Sequence, residues 1–316
     1  MIKSNKVLVT GATGFVGANL VKRLVTTGYD VHILTRKTSN KWRLDDVLPR
    51  LVEHIVDLTE EEKLKELIKE IRPDIIFHLA TEGIYGGQHL PEEKLIETNF
   101  LGTINLINAC NDVDYKCFIN TGSSSEYGPK KDAMKETDIC EPVTVYGITK
   151  CAATLYGNLI AKRDSKPIIC FRLFSPFGPY DDKSRLMTYA ITNALQNNNL
   201  NLANPLAVRD YIFVEDVLDL YIKSTDKAYE LKGEVFNVGS GMQTDIAYVV
   251  NKIIELTNSK SKIKWGAVQP RSFDTEKWEA NIEKVSKYFN WQPKHSLEEG
   301  LKKTILWFRN NLSLYK

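Results

Sequence analysis

Charge imbalance is nearly absent: 42 Lys and Arg stand against 40 Asp and Glu, a formal net charge of +2. So even a balance argues against a protein that works through a one-signed field, and no basic stripe marks a nucleic-acid surface. Long apolar runs are missing too, since none approaches the roughly 18 residues that a membrane-spanning helix requires. The opening MIKSNKVLVTG passes into a strand pattern without a signal-peptide cleavage pattern, so the expected address is the cytoplasm. The five cysteines, Cys110, Cys117, Cys140, Cys151 and Cys170, are odd in number and scattered, which suits reduced, buried thiols rather than a disulfide framework. Neither Cys-x-x-Cys nor His-Glu-x-x-His occurs, and His32, His54, His78, His89 and His295 are widely dispersed, so no metal is expected. Repeats and low-complexity tracts are also lacking. What is present is a 316-residue chain of ordinary apolar content, long enough to bury a full core and to divide into a large and a small domain.

Strand-like runs alternate with helical ones: KVLVT (6–10), DVHIL (30–34), EHIVDL (53–58), DIIFHLA (74–80), KCFINTG (116–122) and PIICFRL (167–173). Between them, residues 15–27 place Val16, Leu20 and Leu24 on one helical face, and residues 60–71 do the same with Leu64, Leu67, Ile68 and Ile71. Such alternation predicts an α/β fold, a Rossmann-type doubly wound parallel sheet with right-handed crossovers. After Phe174 the pattern changes to SPFGPYDD and the Asn-rich QNNNLNLANP before short strands resume at VRDYIF and EVFNVG. The predicted division is therefore a dinucleotide-binding domain of residues 1–173 plus about 209–239. A smaller α/β C-terminal substrate domain takes about 174–208 plus 240–316, ending in an amphipathic helix from about Leu297 to Asn311.

The run VLVTGATGFVGANL sets Gly11, Gly14 and Gly17 at the junction of the first strand and first helix. The first glycine permits a tight turn, the second lets the backbone approach a pyrophosphate, and the third lets helix pack on strand. Thr13, Phe15 and Val16 complete this turn as cofactor-binding candidates. An acidic residue ending the second strand would accept the adenosine ribose hydroxyls, but the chain has Arg36 and Lys37 there, which welcome a 2′-phosphate. NADP is favoured, with NAD as the alternative. Asp57, ending the third strand, is placed to accept from the adenine amino group, with Leu58 beside it.

Tyr146 and Lys150, four residues apart in VYGITKCAATLY, share one helical face. A nearby ammonium favours the phenolate and turns tyrosine into an acid or base usable near neutrality. The Gly-x-x-Gly-x-x-Gly spacing resembles the short-chain dehydrogenase/reductase superfamily. Together with Tyr-x-x-x-Lys and the serine cluster INTGSSSEYG, the chain resembles its extended branch, the nucleotide-sugar epimerase/dehydratase family, over nearly its whole length. This resemblance implies that Ser123 holds the sugar oxygen undergoing redox change, beside Ser124 and Ser125. It implies that Ala80, Thr81 and Asn99 border the cofactor, and that backbone beside Pro176 meets the nicotinamide amide. Arg209 and Arg271 resemble the pair that grips the diphosphate of a nucleotide sugar. Ser175 departs from the family's usual asparagine. Base contacts are expected near Leu200 to Pro205. The helices near residues 93–111 and 146–163, with Leu95, Leu101, Leu106, Leu155 and Leu159, resemble those through which family members pair, so a homodimer is expected.

The family's 4,6-dehydratases resemble one another in placing a carboxylate two residues before the tyrosine of the serine motif, where this chain has Ser125. Glu126 lies one residue later, which in a strand means the opposite face. The fucose-synthase type places a cysteine at the position of Ser125, so combined epimerase and reductase activity is disfavoured as well. Two readings remain: an NADPH-dependent reductase of a nucleotide-linked 4-keto-(6-deoxy)sugar, favoured by Arg36, and a 4-epimerase that retains its cofactor. A third, of another class, is a non-catalytic NADP-sensing or scaffold protein, against which intact Tyr146 and Lys150 argue.

Overall fold

The first strand, β1 (Lys6–Thr10), keeps Val7, Leu8 and Val9 entirely out of solvent, as a strand covered on both faces must. The computed structural model, which describes residues 5–83, 91–269 and 275–315, sets β1 between β2 (Asp30–Thr35) and β4 (Ile75–His78). With β3 (Val52–Ile55), β5 (Cys117–Ser123), β6 (Ile168–Leu173) and β10 (Val235–Val238) they form a seven-stranded sheet in the order β10-β6-β5-β4-β1-β2-β3. All pairings from β3 across to β6 are parallel, and Thr10 faces Leu34 on one side and His78 on the other. The chain winds outward from β1 to β3 and returns beyond β1 to β4. The result is a doubly wound sheet of Rossmann type, whose crevice for ligands opens where the strand order reverses.

Helices α1 (Phe15–Thr26), α2 (Glu61–Ile71), α3 (Glu92–Leu95), α4 (Gly102–Asn111) and α5 (Val145–Arg163) supply the crossovers, with a π turn (Ile96–Leu101) joining α3 to α4. Leu64, Leu67, Ile68 and Ile71 of α2 are buried as their spacing predicts, each contributing about 1.5–3 kcal/mol. They share a core with Leu106, Ile107 and Phe118. None of the helices among the described residues is long and apolar enough to cross a membrane.

The chain divides into two compact units, one of residues 1–126, 142–173 and 218–236, the other of residues 127–141, 174–217 and 237–316. In the second unit β7 (Ser175–Phe177), β9 (Val208–Phe213) and β11 (Gln243–Asp245) form one sheet, and β8 (Leu200–Asn201) pairs with β12 (Ile263–Lys264). Helices α6 (Leu186–Leu195), α8 (Ile246–Thr257), α9 (Glu283–Phe289) and α10 (Leu297–Asn311) accompany them, while α7 (Val214–Ser224) follows β9 directly. A full capping box from Ser296 and Glu299 starts α10 at the predicted residue. Two segments expected in the first domain, 127–141 and 209–217, group with the second unit instead. The reason is pairing: β9 hydrogen-bonds to β7 and β11, the Tyr127 hydroxyl donates to Asn237, and Met134 bridges Ala280. The third strand also ends early, at Ile55, so Asp57 lies in the following turn.

Candidate active site

The glycine turn is built as its spacing requires. Gly11 has φ +69°, and a Cβ there would sit 2.5 Å from the backbone of Leu79 and Ala80. A Cβ on Gly17 would sit 2.1 Å from the Gly11 carbonyl oxygen, so helix α1 could not approach the turn. Gly14 is the N-cap of α1, exposed and without a side-chain cap, and the first turn holds no acidic residue. Amides at the start of this twelve-residue helix therefore face outward at its positive end, a setting that fits a pyrophosphate. Phe15 is buried, and Thr13 and Val16 are half-buried.

Beyond β2, Arg36 and Ser39 close a turn: the Arg36 amide donates to Ser39 Oγ at 2.9 Å, and the Ser39 amide donates to the Arg36 carbonyl at 2.9 Å. Lys37 is solvent-exposed. The Arg36 guanidinium donates to Glu82 Oε1 at 2.5 Å, a contact nothing in the local sequence announces across 46 positions. Asp57 accepts from both the amide and hydroxyl of Thr59. Burial pushes its carboxyl up, but these bonds and the charges of Arg36 and Lys94 outweigh it and leave the pKa lowered. The Leu58 side chain belongs to the core, and its carbonyl accepts from Asn105.

After β4, the Ala80 amide donates to Thr10 Oγ1 at 3.3 Å. Asn99, fully buried, accepts from the Glu82 amide at 2.7 Å and the Thr81 hydroxyl at 3.0 Å, and donates to the Glu82 carbonyl and to Thr149 Oγ1. It ties the segment after β4 to helix α5, one residue from Lys150.

Tyr146 is half-buried in the first turn of α5, which Thr144 caps by accepting from the Gly147 amide. Lys150 lies one turn further along the same face, only 3% exposed, and none of the described side chains hydrogen-bonds its Nζ. Burial lowers its pKa, partly offset by the nearby Glu126 carboxylate and Cys170. Ser123, at the end of β5, accepts the Ser125 amide at 3.1 Å on Oγ, which leaves its own proton to donate. Ser124 is buried and Ser125 half-buried.

Three features escaped the sequence. Glu126 turns inward from a 3-10 turn (Ser124–Glu126), not a strand, and accepts from Arg172 Nε at 2.7 Å, the Ser123 amide and Thr154. His78 is fully buried between Thr10 and Thr103, and burial together with the Lys150 charge lowers its pKa to about 3. Arg43, in the 3-10 turn Trp42–Leu44, donates to the Thr13 carbonyl at 3.3 Å.

The remaining candidates belong to the second unit. Ser175 and Pro176 lie in β7, and the Pro176 carbonyl accepts from Arg185 at 2.8 Å. Arg209, in β9, donates to the Val208 carbonyl and stacks 5.6 Å from the Trp278 ring. A cavity of about 600 Å³ opens between residues 203–205 and 265–269, next to the stretch expected to meet a base, with Trp265 in its wall. Arg271 lies outside the described residues. Of the helix leucines named for pairing, Leu95 and Leu106 are wholly in the core, whereas Leu101, Leu155 and Leu159 are 44–60% exposed.

A family model described as NAD dependent epimerase/dehydratase family matches residues 7–239. UDP-glucose 4-epimerase of Thermotoga maritima, solved with UDP-glucose, superimposes with a TM-score of 0.89 at 26% identity, covering 97% of this chain and 99% of its own. dTDP-glucose 4,6-dehydratase from Bacillus anthracis, in complex with NAD, gives 0.87 at 25% identity over 98% of each chain. Among curated relatives, CDP-abequose synthase of Salmonella muenchen is 25% identical over 96% of this chain and 97% of its own.

Proposed function

The chain belongs to the NAD dependent epimerase/dehydratase family, and we propose that it is a reductase acting at C4 of a nucleotide-linked 4-keto-(6-deoxy)sugar, with NADPH as the preferred reductant. The glycine turn, the outward N-terminus of α1 and the buried ammonium of Lys150, to which none of the described side chains hydrogen-bonds, fit a nicotinamide dinucleotide. That cofactor supplies or accepts the hydride at the sugar carbon.

The rest of the chemistry falls to side chains of the first unit. Tyr146 gives its phenolic proton to the C4 oxygen. Lys150, buried one turn away, stabilises the phenolate that remains, an interaction that strengthens as charge develops beside a buried ammonium. Ser123 donates its hydroxyl proton to the same oxygen and orients the carbonyl. Glu126 is committed to Arg172, Ser123 and Thr154, which removes it as an acid for dehydration. In the second unit, Arg209 binds the diphosphate, Ser175 and Pro176 border the reacting end, and the cavity beside Trp265 takes the base. Two copies pair through the exposed face of Leu101, Ile148, Leu155 and Leu159, whose α5 members fall seven and four residues apart.

The observation that carries reduction over epimerisation is the cationic turn Arg36–Ser39 ending β2, which suits the phosphorylated cofactor of reductive chemistry. A 4-epimerase with retained NAD is the second reading, favoured by the carboxylate of Glu82 on Arg36. Absorbance at the reduced-nicotinamide band, followed with NADPH or NADH and a panel of nucleotide-linked 4-keto sugars, separates them. Stoichiometric NADPH consumption with one sugar, lowered about 10²–10⁴-fold by Tyr146→Phe, supports the reductase. No consumption, with cofactor carried through purification, replaces it by the epimerase.

A further inference from the structure

Strands β1 and β2 are parallel neighbours, so the glycine turn after Thr10 and the turn after Thr35 leave the same edge of the sheet side by side. Cations approach this edge from two directions. Arg36 stands in a turn closed by two bonds with Ser39. Arg43 comes from a 3-10 turn anchored by the fully buried Leu44, with its guanidinium 4.6 Å from the Trp42 ring and donating to the carbonyl of Thr13. Among the described residues Glu82 is the carboxylate bonded to Arg36, while Asp57 feels the Arg36 charge from a greater distance. The Glu82 backbone is held at both N–H and C=O by the buried amide of Asn99, so its side chain starts from a fixed point.

We propose that Arg43 is, with Arg36, a reader of the ribose 2′-phosphate of NADP, and that Glu82 sets the discrimination between NADP and NAD. The assignment rests on the glycine turn holding a dinucleotide. A phosphate dianion offers three acceptor oxygens, enough for two guanidinium groups, and it displaces Glu82 from Arg36. In NAD the same position carries a hydroxyl, a donor that Glu82 accepts. Arg36 then keeps its carboxylate partner, and Arg43 gains nothing. Arg43 thus discriminates through the phosphate, whereas a role confined to fastening the Thr13 carbonyl would serve both cofactors alike.

Dissociation constants for NADPH and NADH, measured by nucleotide fluorescence without sugar, test this on wild type, Arg43→Gln and Glu82→Gln. Loss of one charge-assisted bond predicts NADPH binding weakened about 10- to 100-fold in Arg43→Gln, with NADH changed less than about twofold. Glu82→Gln moves the ratio the other way, tightening NADPH and weakening NADH. The NADPH constant also becomes less salt-sensitive in Arg43→Gln, which a fastening role would not produce. Equal losses for both nucleotides, or an unchanged NADPH constant, overturn the assignment while leaving the dinucleotide reading intact. Failure of the wild type to bind either nucleotide overturns both.

Discussion

Acidification from pH 8 to pH 5 acts on the fully buried imidazole of His78, whose contribution follows from its surroundings. The Thr103 hydroxyl donates to the Asn99 carbonyl at 2.7 Å, so it accepts at 2.8 Å from His78 Nε2–H. That leaves the Nδ1 lone pair to accept the Thr10 hydroxyl at 2.7 Å. The neutral ring is therefore fully satisfied, and burial together with the Lys150 charge lowers its pKa from 6.5 to about 3. In the unfolded chain the ring titrates near 6.5, so on acidification the unfolded state takes up the proton first. The stability is fully present above pH 6.5 and is lost progressively as pH falls from 6.5 towards 3. Linkage gives a loss of about 2 kcal/mol at pH 5, rising to about 4 kcal/mol at pH 3. Urea unfolding at pH 8, 6.5 and 5 measures it, with His78→Gln as reference, since a glutamine amide can donate to Thr103 and accept from Thr10 without titrating. The variant starts less stable at pH 8 but loses about 2 kcal/mol less than wild type by pH 5. Identical slopes for the two proteins would refute the reasoning, because titration of His32, His54 and every carboxylate is common to both.

Glu126→Gln removes the carboxylate charge that faces Arg172 Nε at 2.7 Å in the core, where both side chains are at most 4% exposed. The expected cost is about 3–5 kcal/mol of unfolding free energy, read from the urea midpoint; a loss below 1 kcal/mol would contradict the burial argument. Leu155→Glu with Leu159→Glu places two charges on a face of α5 where both leucines are more than half exposed. Sedimentation should show the proposed dimer of the wild type replaced by a folded monomer, and a variant of unchanged mass would remove this face from the pairing surface.

Much of the first unit is legible in local pattern. The β1-turn-α1 junction is set by residues within one short run: the continuous apolar stretch ends at Thr10, a glycine that must adopt positive φ follows, and another is placed where a Cβ would meet the turn. Tyr146 and Lys150 are readable as a pair because the helix that orients them has a fixed repeat. Helix periodicity does not say which apolar face is covered, so Leu95 and Leu106 read like Leu155 and Leu159 although only the first two enter the core. The one-residue alternation argument for Glu126 fails in its premise, since β5 stops at Ser123 and a 3-10 turn begins.

The sequence by itself determined the order of strands and helices, the glycine turn and the placing of Tyr146 and Lys150 on one helical face, because each is encoded by side chains within a few positions of one another. Tertiary structure alone decided which polar groups meet: Glu82 with Arg36, Arg43 with the carbonyl of Thr13, Glu126 with Arg172, and His78 between Thr10 and Thr103. These partners lie 25 to 68 positions apart. Their meeting depends on strand register and on which turns leave the sheet at the same edge, and only the folded sheet fixes both.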